Sequence, residues 1–126
     1  MQDFKKLLVW QKAARLSIKS HRIAARIMGS HYTAVRSQII RCGMSIASNI
    51  AEGRAQRSDA EFARFLNYSL ASATELESHL LTCRSMGLIS EADCNEAASL
   101  AIEIRRMLYA MIRKLRNDSR KPAAQR

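Results

Sequence analysis

Residues 45–62 read SIASNIAEGRAQRSDAEF, and this stretch decides the fold because it holds the end of one helix and the start of the next. Asn49 and Glu52 interrupt a run that otherwise has the apolar spacing of a packed helical face. Ser58, followed three residues later by Glu61, has the pattern of a capping box that begins a helix. The polar insertion has three possible meanings: a catalytic or ligand site, a specificity device in a helix bundle, or a frayed helix end.

Capping residues and glycines divide the chain into four predicted helices. Ser58 and Ser90 are suited to cap helix N-termini. Gly29 and Gly87 are suited to follow helix ends. Connections of about three to six residues favour antiparallel neighbours. The sequence therefore predicts an all-α fold, an antiparallel up-down-up-down four-helix bundle. The expected helices cover residues 4–28, 33–56, 59–86 and 91–116.

Length and composition fit a single domain. The 126 residues suffice for one core, which we assign to residues 1–116, with a basic disordered tail over 117–126. No run approaches about 18 apolar residues, so we expect no transmembrane helix. The apolar stretch near the N-terminus is too short for a secretory signal. The three cysteines form no CxxC pair, which argues against a disulfide framework and a zinc site and suits a reducing cytoplasm.

Charge is divided along the chain. The formal net charge is +10. Residues 1–57 carry eleven Lys or Arg against two acids, and residues 104–126 carry eight against one. Between them, residues 58–103 carry two against eight. Such a field attracts polyanions and could also dock unlike faces of neighbouring subunits.

No arrangement of residues indicates catalysis. The sequence has no phosphate-binding glycine loop, no HExxH and no GxSxG nucleophile motif. The three histidines lie on different segments, and His79, four residues after Glu75, is interpreted as one half of a surface contact. We expect no catalytic residue, no metal ligand and no cofactor, and hence a protein that is not an enzyme.

The cations of the first helix are the strongest functional pattern. They recur at seven-residue steps, which is nearly two helical turns, and so form a narrow ridge about 30 Å long. Such a ridge could contact several phosphates of RNA or DNA without reading the bases. Residues 113–126 could extend this footprint. The alternatives are a solvated cationic face or, less favoured, contact with an anionic membrane surface. The predicted nucleic-acid-binding residues are Lys5, Lys12, Arg15, Lys19, Arg22 and Arg26.

The first two helices carry more apolar surface than a monomeric bundle needs. A surface helix usually has one apolar stripe, whereas each of these has two. Trp10 adds a large side chain near the second stripe of the first helix. Two stripes favour a homo-oligomer, and the alternative is a single broad face toward the core. In the first helix, one stripe is Phe4, Leu7, Ala14, Ile18 and Ala25, and the other is Val9, Ala13, Leu16, Ile23 and Ile27.

Several motifs together resemble a known family. The motifs run in order over about residues 4–90. They are Leu7-x-Val9-Trp10-Gln11-x-Ala13, Ser37-Gln38-Ile39, Ser45-Ile46-x-Ser48-Asn49-Ile50-Ala51-Glu52-Gly53, Arg57-Ser58-x-x-Glu61-Phe62-x-x-Phe65-Leu66 and Glu75-Leu76-Glu77. In these motifs the chain resembles the four-helix-bundle proteins encoded in intervening sequences of bacterial large-subunit ribosomal RNA genes, and it is similar to the accessory variability proteins of diversity-generating retroelements.

This resemblance implies a ring-like homopentamer with a positive surface. For the retroelement members it implies binding to nucleic acid and to a reverse transcriptase, and for none of them does it supply catalytic residues. The chain departs from the family pattern where Ala47 stands in place of a common proline, Ile40 in place of an arginine and Ala71 in place of a glycine. The loss of that arginine weakens the transfer of RNA binding.

Two functions from different classes follow. The first is a non-enzymatic oligomeric scaffold that binds RNA or DNA backbone through the ridge on the first helix. The alternative is a protein–protein adaptor that docks a partner such as a reverse transcriptase. In both, the polar insertion is structural, because a buried Asn in a helix bundle commonly fixes register and partner choice. The residues expected to specify structure or oligomer are Trp10, Asn49, Glu52 and Gly53.

Overall fold

The chain folds into four antiparallel helices. The computed structural model describes residues 3–122 and residue 124. Short 3-10 turns, Phe4–Lys6 and Ser30–Tyr32, precede the first and second helices. The prediction of an all-α four-helix bundle is confirmed. The helices are α1, Leu8–Ala25; α2, Thr33–Arg54; α3, Asp59–Ser85; and α4, Glu91–Arg120.

Each helix packs against its neighbours in the chain, and α1 also contacts α4, which closes the bundle. The α1–α4 seam is the least extensive of the four. No helix within residues 3–122 is both long and apolar enough to cross a bilayer.

The predicted caps are present. The Ser58 hydroxyl accepts a hydrogen bond from the backbone N–H of Glu61 at 3.1 Å, and Ser90 caps α4 in the same way. Gly87 has a φ of 74°, and the N–H of Leu88 after it donates to the carbonyl of Cys83 at 2.9 Å. This is the hydrogen bond of a Schellman motif, which a residue with a side chain would strain. Local sequence therefore sets both ends of the α3 helix.

Two helix boundaries differ from the sequence prediction. α1 ends at Ala25 rather than near residue 28, because Arg36 takes over the carbonyl groups that follow it. The Arg36 guanidinium donates to the carbonyl of Ile27 at 2.8 Å and to that of Gly29 at 2.9 Å. This lets Ile27 leave the helix and bury its side chain in the core, where it is 2% exposed.

At the other end, α4 continues to Arg120, so residues 117–120, which we assigned to a disordered tail, are helical. Ile112 is buried and Leu115 packs against the core, which holds the last turns against the bundle. Cations in a last turn also favour helix through the macrodipole. Residues 123, 125 and 126 of the predicted tail lie outside the described part of the chain.

The core follows the predicted apolar spacing. On α1, the stripe from Val9 to Ile23 is buried and is continued by Ile27 beyond the helix end, whereas Ile18 of the other stripe is 54% exposed. On α2, Ile46 is fully buried while Met44 on the adjacent face is 59% exposed. The single chain thus covers one apolar stripe of each helix and leaves much of the second uncovered.

The helices α2 and α3 approach each other closely at Gly53, within the stretch 45–62. Gly53 of α2 is buried against α3, and a Cβ at this position would lie 2.9 Å from Cβ of Phe65 and 3.0 Å from Cδ1 of Phe62. A little farther along the seam, the buried hydroxyl of Ser69 donates to the carbonyl of Ile46 at 2.8 Å. These contacts fix the register of α3 on α2.

Replacement of this glycine should therefore destabilise the bundle. At an exposed helical position, Gly→Ala would stabilise by about 1 kcal/mol through helix propensity. For Gly53→Ala, the clash with the rigid Cβ of Phe65 should reverse that sign and lower the free energy of unfolding by about 1–3 kcal/mol. Urea unfolding followed by circular dichroism measures this change. A variant as stable as the wild type would contradict the close approach. The double variant Gly53→Ala/Phe65→Ala should be no more stable than Gly53→Ala alone, because alanine at position 65 keeps the Cβ that causes the clash.

Candidate nucleic-acid interface

The cationic ridge of α1 lies beside acidic residues of α4. These acids belong to the central acidic block of the sequence, and they repeat along α4 with the spacing needed to meet the ridge. Half of the ridge is therefore paired across the α1–α4 seam. The three ion pairs are Lys12–Glu103 at 2.7 Å, Lys19–Glu96, and Arg26–Asp93 at 2.6 Å.

Partial burial strengthens this pairing. The side chains of Lys12 and Lys19 are only 18% and 29% exposed. A cation held against an acid in this way is less available to a phosphate, because its field is largely neutralised. α1 itself carries no Asp or Glu, so the ridge has no opposing charge on its own helix. The partners come instead from a helix that is distant in sequence.

The remaining ridge cations differ among themselves. Lys5 lies 3.4 Å from Asp3, and both side chains are well exposed. Arg15 and Arg22 are exposed and have no ion pair within the described residues. They flank Ile18 on the outward face of α1, and all three line one shallow hollow. The structure thus leaves two of the six predicted cations fully available.

A second group of cations lies along the last turns of α4. The pairing of Lys12 with Glu103 places Leu8, the first residue of α1, beside about residue 107 of α4. The cations that follow on α4 therefore extend past the start of α1. All four side chains are exposed and form no ion pair among residues 3–122. Tyr109, 55% exposed, lies in the same hollow as three of them. The group, here named the α4 basic end, is Arg113, Lys114, Arg116 and Arg120.

Asn49, in the stretch 45–62, takes part in the packing of α2 against α3. Asn49 is half-buried, and its amide donates to the carbonyl and the hydroxyl of Ser45 at 2.8 and 2.9 Å. The Ser45 hydroxyl in turn lies 2.8 Å from that of Ser72 on α3. Asn49 thus belongs to a small hydrogen-bonded chain between two helices. Glu52 is exposed, one residue before the buried Gly53.

Trp10 lies at the start of α1 and packs partly against the core. Its ring meets that of Phe4 edge to face, with centroids 5.1 Å apart. This contact folds the N-terminal 3-10 turn back onto the first helix. No oligomer contact is needed to explain the position of Trp10 within the chain.

One cluster was missed by sequence reasoning. Cys42 of α2 lies beside Glu75 and His79 of α3, with one potential metal-ligand atom from each within 4.8 Å of the others. Burial above all, and next the Glu75 carboxylate, raise the pKa of the Cys42 thiol to about 12. The four-residue spacing of Glu75 and His79 was visible in the sequence. Cys42 could be added only once the α2–α3 register was known.

The fold and these surfaces define the class of protein: an all-α four-helix bundle with segregated charge and an incompletely covered apolar face. The model of the 23S rRNA-intervening sequence protein family matches residues 5–110, and the chain belongs to this family. This confirms the ribosomal RNA part of the resemblance drawn from the motifs. The likeness to retroelement accessory proteins stays a prediction.

Solved structures agree on the fold. A protein of unknown function from the S23 ribosomal protein family of Bacteroides thetaiotaomicron VPI-5482 superposes with a TM-score of 0.78 at 24% sequence identity. The similarity covers 83% of this chain and 98% of that one. No match was found among curated proteins.

The ion pairs of the α1–α4 seam can be measured directly. A double-mutant cycle with Lys12→Met and Glu103→Gln should give a coupling energy near the upper part of the usual range, about 0.5–1 kcal/mol, because Lys12 is largely buried. The coupling should shrink in molar salt. The exposed pair Lys5–Asp3 is the matched control and should give a smaller coupling. Equal couplings for the two pairs would show that burial of Lys12 does not strengthen its pairing.

Proposed function

We propose that the protein is a non-enzymatic, oligomeric scaffold that binds the backbone of RNA or DNA. The observation that carries this proposal is the α4 basic end, where four exposed cations project beyond α1 with no acid paired to them within residues 3–122. Cations without internal partners release counterions when they meet phosphates, which gives salt-sensitive and largely sequence-independent affinity. Of the predicted nucleic-acid-binding residues on α1, we retain only Arg15 and Arg22 in this proposal.

The residues of the α4 basic end suit binding to single-stranded or unpaired segments of RNA or DNA. Tyr109 precedes Arg113 by about one helical turn and lines the same hollow. An exposed ring among cations can stack on a base while the cations hold the backbone, which is a sequence-tolerant mode of binding. The family description refers to 23S rRNA, so fragments of that RNA are the first ligands to test.

Salt dependence of RNA binding tests the proposal. The slope of log affinity against log salt should be clearly negative for the wild type. The double variant Arg113→Gln/Arg116→Gln should reduce that slope by roughly 1.5, because each lost phosphate contact removes about 0.7–0.9. Fluorescence anisotropy with a labelled ribosomal RNA fragment at several salt concentrations measures both.

A matched double variant separates available cations from paired ones. Lys12→Gln/Lys19→Gln removes the same charge, but these lysines already pair with Glu103 and Glu96. This variant should reduce the slope of log affinity against log salt by less than half as much as Arg113→Gln/Arg116→Gln does. A wild-type slope near zero would refute nucleic-acid binding, and an equal effect of the two double variants would refute the assignment to the α4 basic end.

Self-association is supported by the apolar surface left on α1 and α2. Ile18, Ile40 and Met44 line one hollow between these helices, and two of the three are more than half exposed. Exposed apolar side chains that share one hollow are a common feature of protein–protein contact sites. We propose that copies of this chain cover it in a homo-oligomer, which by resemblance is a pentamer. The same surface also supports the alternative function, an adaptor that docks a protein partner such as a reverse transcriptase.

A charged substitution in this hollow should separate the copies. Met44→Glu should lower the mass measured by multi-angle light scattering toward the 14.2 kDa of one chain. Met86→Glu is the matched control, because Met86 is similarly exposed but lies at the end of α3, away from the hollow. A wild type that is monomeric at micromolar concentration would contradict self-association. An oligomer broken equally by both variants would contradict the location.

A further inference from the structure

We propose that Cys42, Glu75 and His79 form a binding site for a zinc-class divalent cation, with a solvent water as the fourth ligand. The site lies midway along the α2–α3 seam, away from the α4 basic end. It is separate from the proposed nucleic-acid surface, and neither proposal depends on the other.

The backbone brings the three side chains together without distortion. Glu75 and His79 are four residues apart on α3 and therefore share one face of that helix. Cys42 is placed opposite them by the same antiparallel register that sets Ser45 beside Ser72. Metal sites in helix bundles are built in this general way, from inward side chains on facing helices.

The distances fit a tetrahedral ion. With zinc bonds of about 2.0–2.3 Å, the donor atoms of a tetrahedral site lie roughly 3.3–3.6 Å apart. Nε2 of His79 lies 3.4 Å from Oε1 of Glu75. All three donor atoms lie within 4.8 Å of one another, so side-chain shifts of roughly 1–1.5 Å at most complete the geometry.

The histidine nitrogen has an unused capacity to bind. Nε2 of His79 is inaccessible to solvent and makes no hydrogen bond within the described residues, although the carboxylate of Glu75 is near. Buried polar atoms in folded proteins nearly always have a partner, so an unpartnered one calls for an explanation. A cation between Nε2 and the carboxylate would satisfy both groups.

The donor set selects the kind of ion. Sulfur, imidazole nitrogen and a carboxylate oxygen suit Zn²⁺ and its analogue Co²⁺, whereas Mg²⁺ and Ca²⁺ require oxygen ligands alone. Cys42 is 5% exposed, which shields the sulfur, while Glu75 is 54% exposed and leaves a path for the ion and a water. The thiol proton passes to solvent when the metal binds.

Metal titration of the full chain tests the site. Chelator-stripped protein should bind one Zn²⁺ per chain in competition with a chromogenic chelator, and should melt at a higher temperature when Zn²⁺ is added. Co²⁺ should give the thiolate-to-cobalt charge-transfer band that only a sulfur ligand produces. Cys42→Ser should remove this band and weaken binding at least about a hundredfold, since loss of outer-shell partners alone costs 10–100-fold.

Two further variants guard against misfolding and misplacement. Glu75→Gln changes a well-exposed side chain, so it should keep the fold while weakening Zn²⁺ binding at least about tenfold. Cys83→Ser, at an equally buried cysteine outside the cluster, should leave binding within about threefold of the wild type. No Zn²⁺ retained by the wild type at micromolar concentration would overturn the proposal. So would a Cys83→Ser variant that loses binding as fully as Cys42→Ser.

Discussion

The close approach of α2 to α3 is the constraint on which the rest of the structure depends. It requires a glycine at position 53, since a side chain there would meet Phe65 at 2.9 Å. Once that contact is made, the register along both helices is set for more than thirty ångströms. Every polar feature of the seam follows from it: the bond from Ser69 to the carbonyl of Ile46, the chain from Asn49 through Ser45, and the meeting of Cys42 with α3.

The opposite seam, between α1 and α4, is held differently. It is the least extensive contact in the bundle, and three ion pairs lie along it. The basic first block and the acidic middle block of the sequence thus neutralise each other where the helices meet. A group of cations with no paired acid among residues 3–122 lies at the α4 basic end, where α4 extends past the start of α1. Charge segregation along the chain therefore becomes a charged end in space, rather than a charged face along the first helix.

Much of the fold could be predicted from sequence, because its signals are local. The serine caps, the glycine after α3 and the apolar spacing of α3 and α4 each act within one or two turns of helix. The interface could not be predicted as well, because it depends on register between helices far apart in sequence. The sequence predicts that Lys19 contacts nucleic acid, whereas in the structure it pairs with Glu96. It predicts only a surface contact between His79 and Glu75, whereas Cys42 of α2 also lies beside them. The end of α1 was missed because Arg36 acts from the next helix.

The proposed self-association and the proposed nucleic-acid binding both involve the outward side of α1, but the two need not compete. Arg15 and Arg22 flank Ile18, so a second copy that covers the apolar hollow would also cover these two cations or pair them with its own acids. The α4 basic end lies beyond the first turns of α1 and outside that hollow. An oligomer built through α1 and α2 would therefore leave one basic end exposed on each copy. If the proposed oligomer is a ring, repetition of that end would multiply the phosphate contacts, so that a few cations per chain would suffice for binding along an extended backbone.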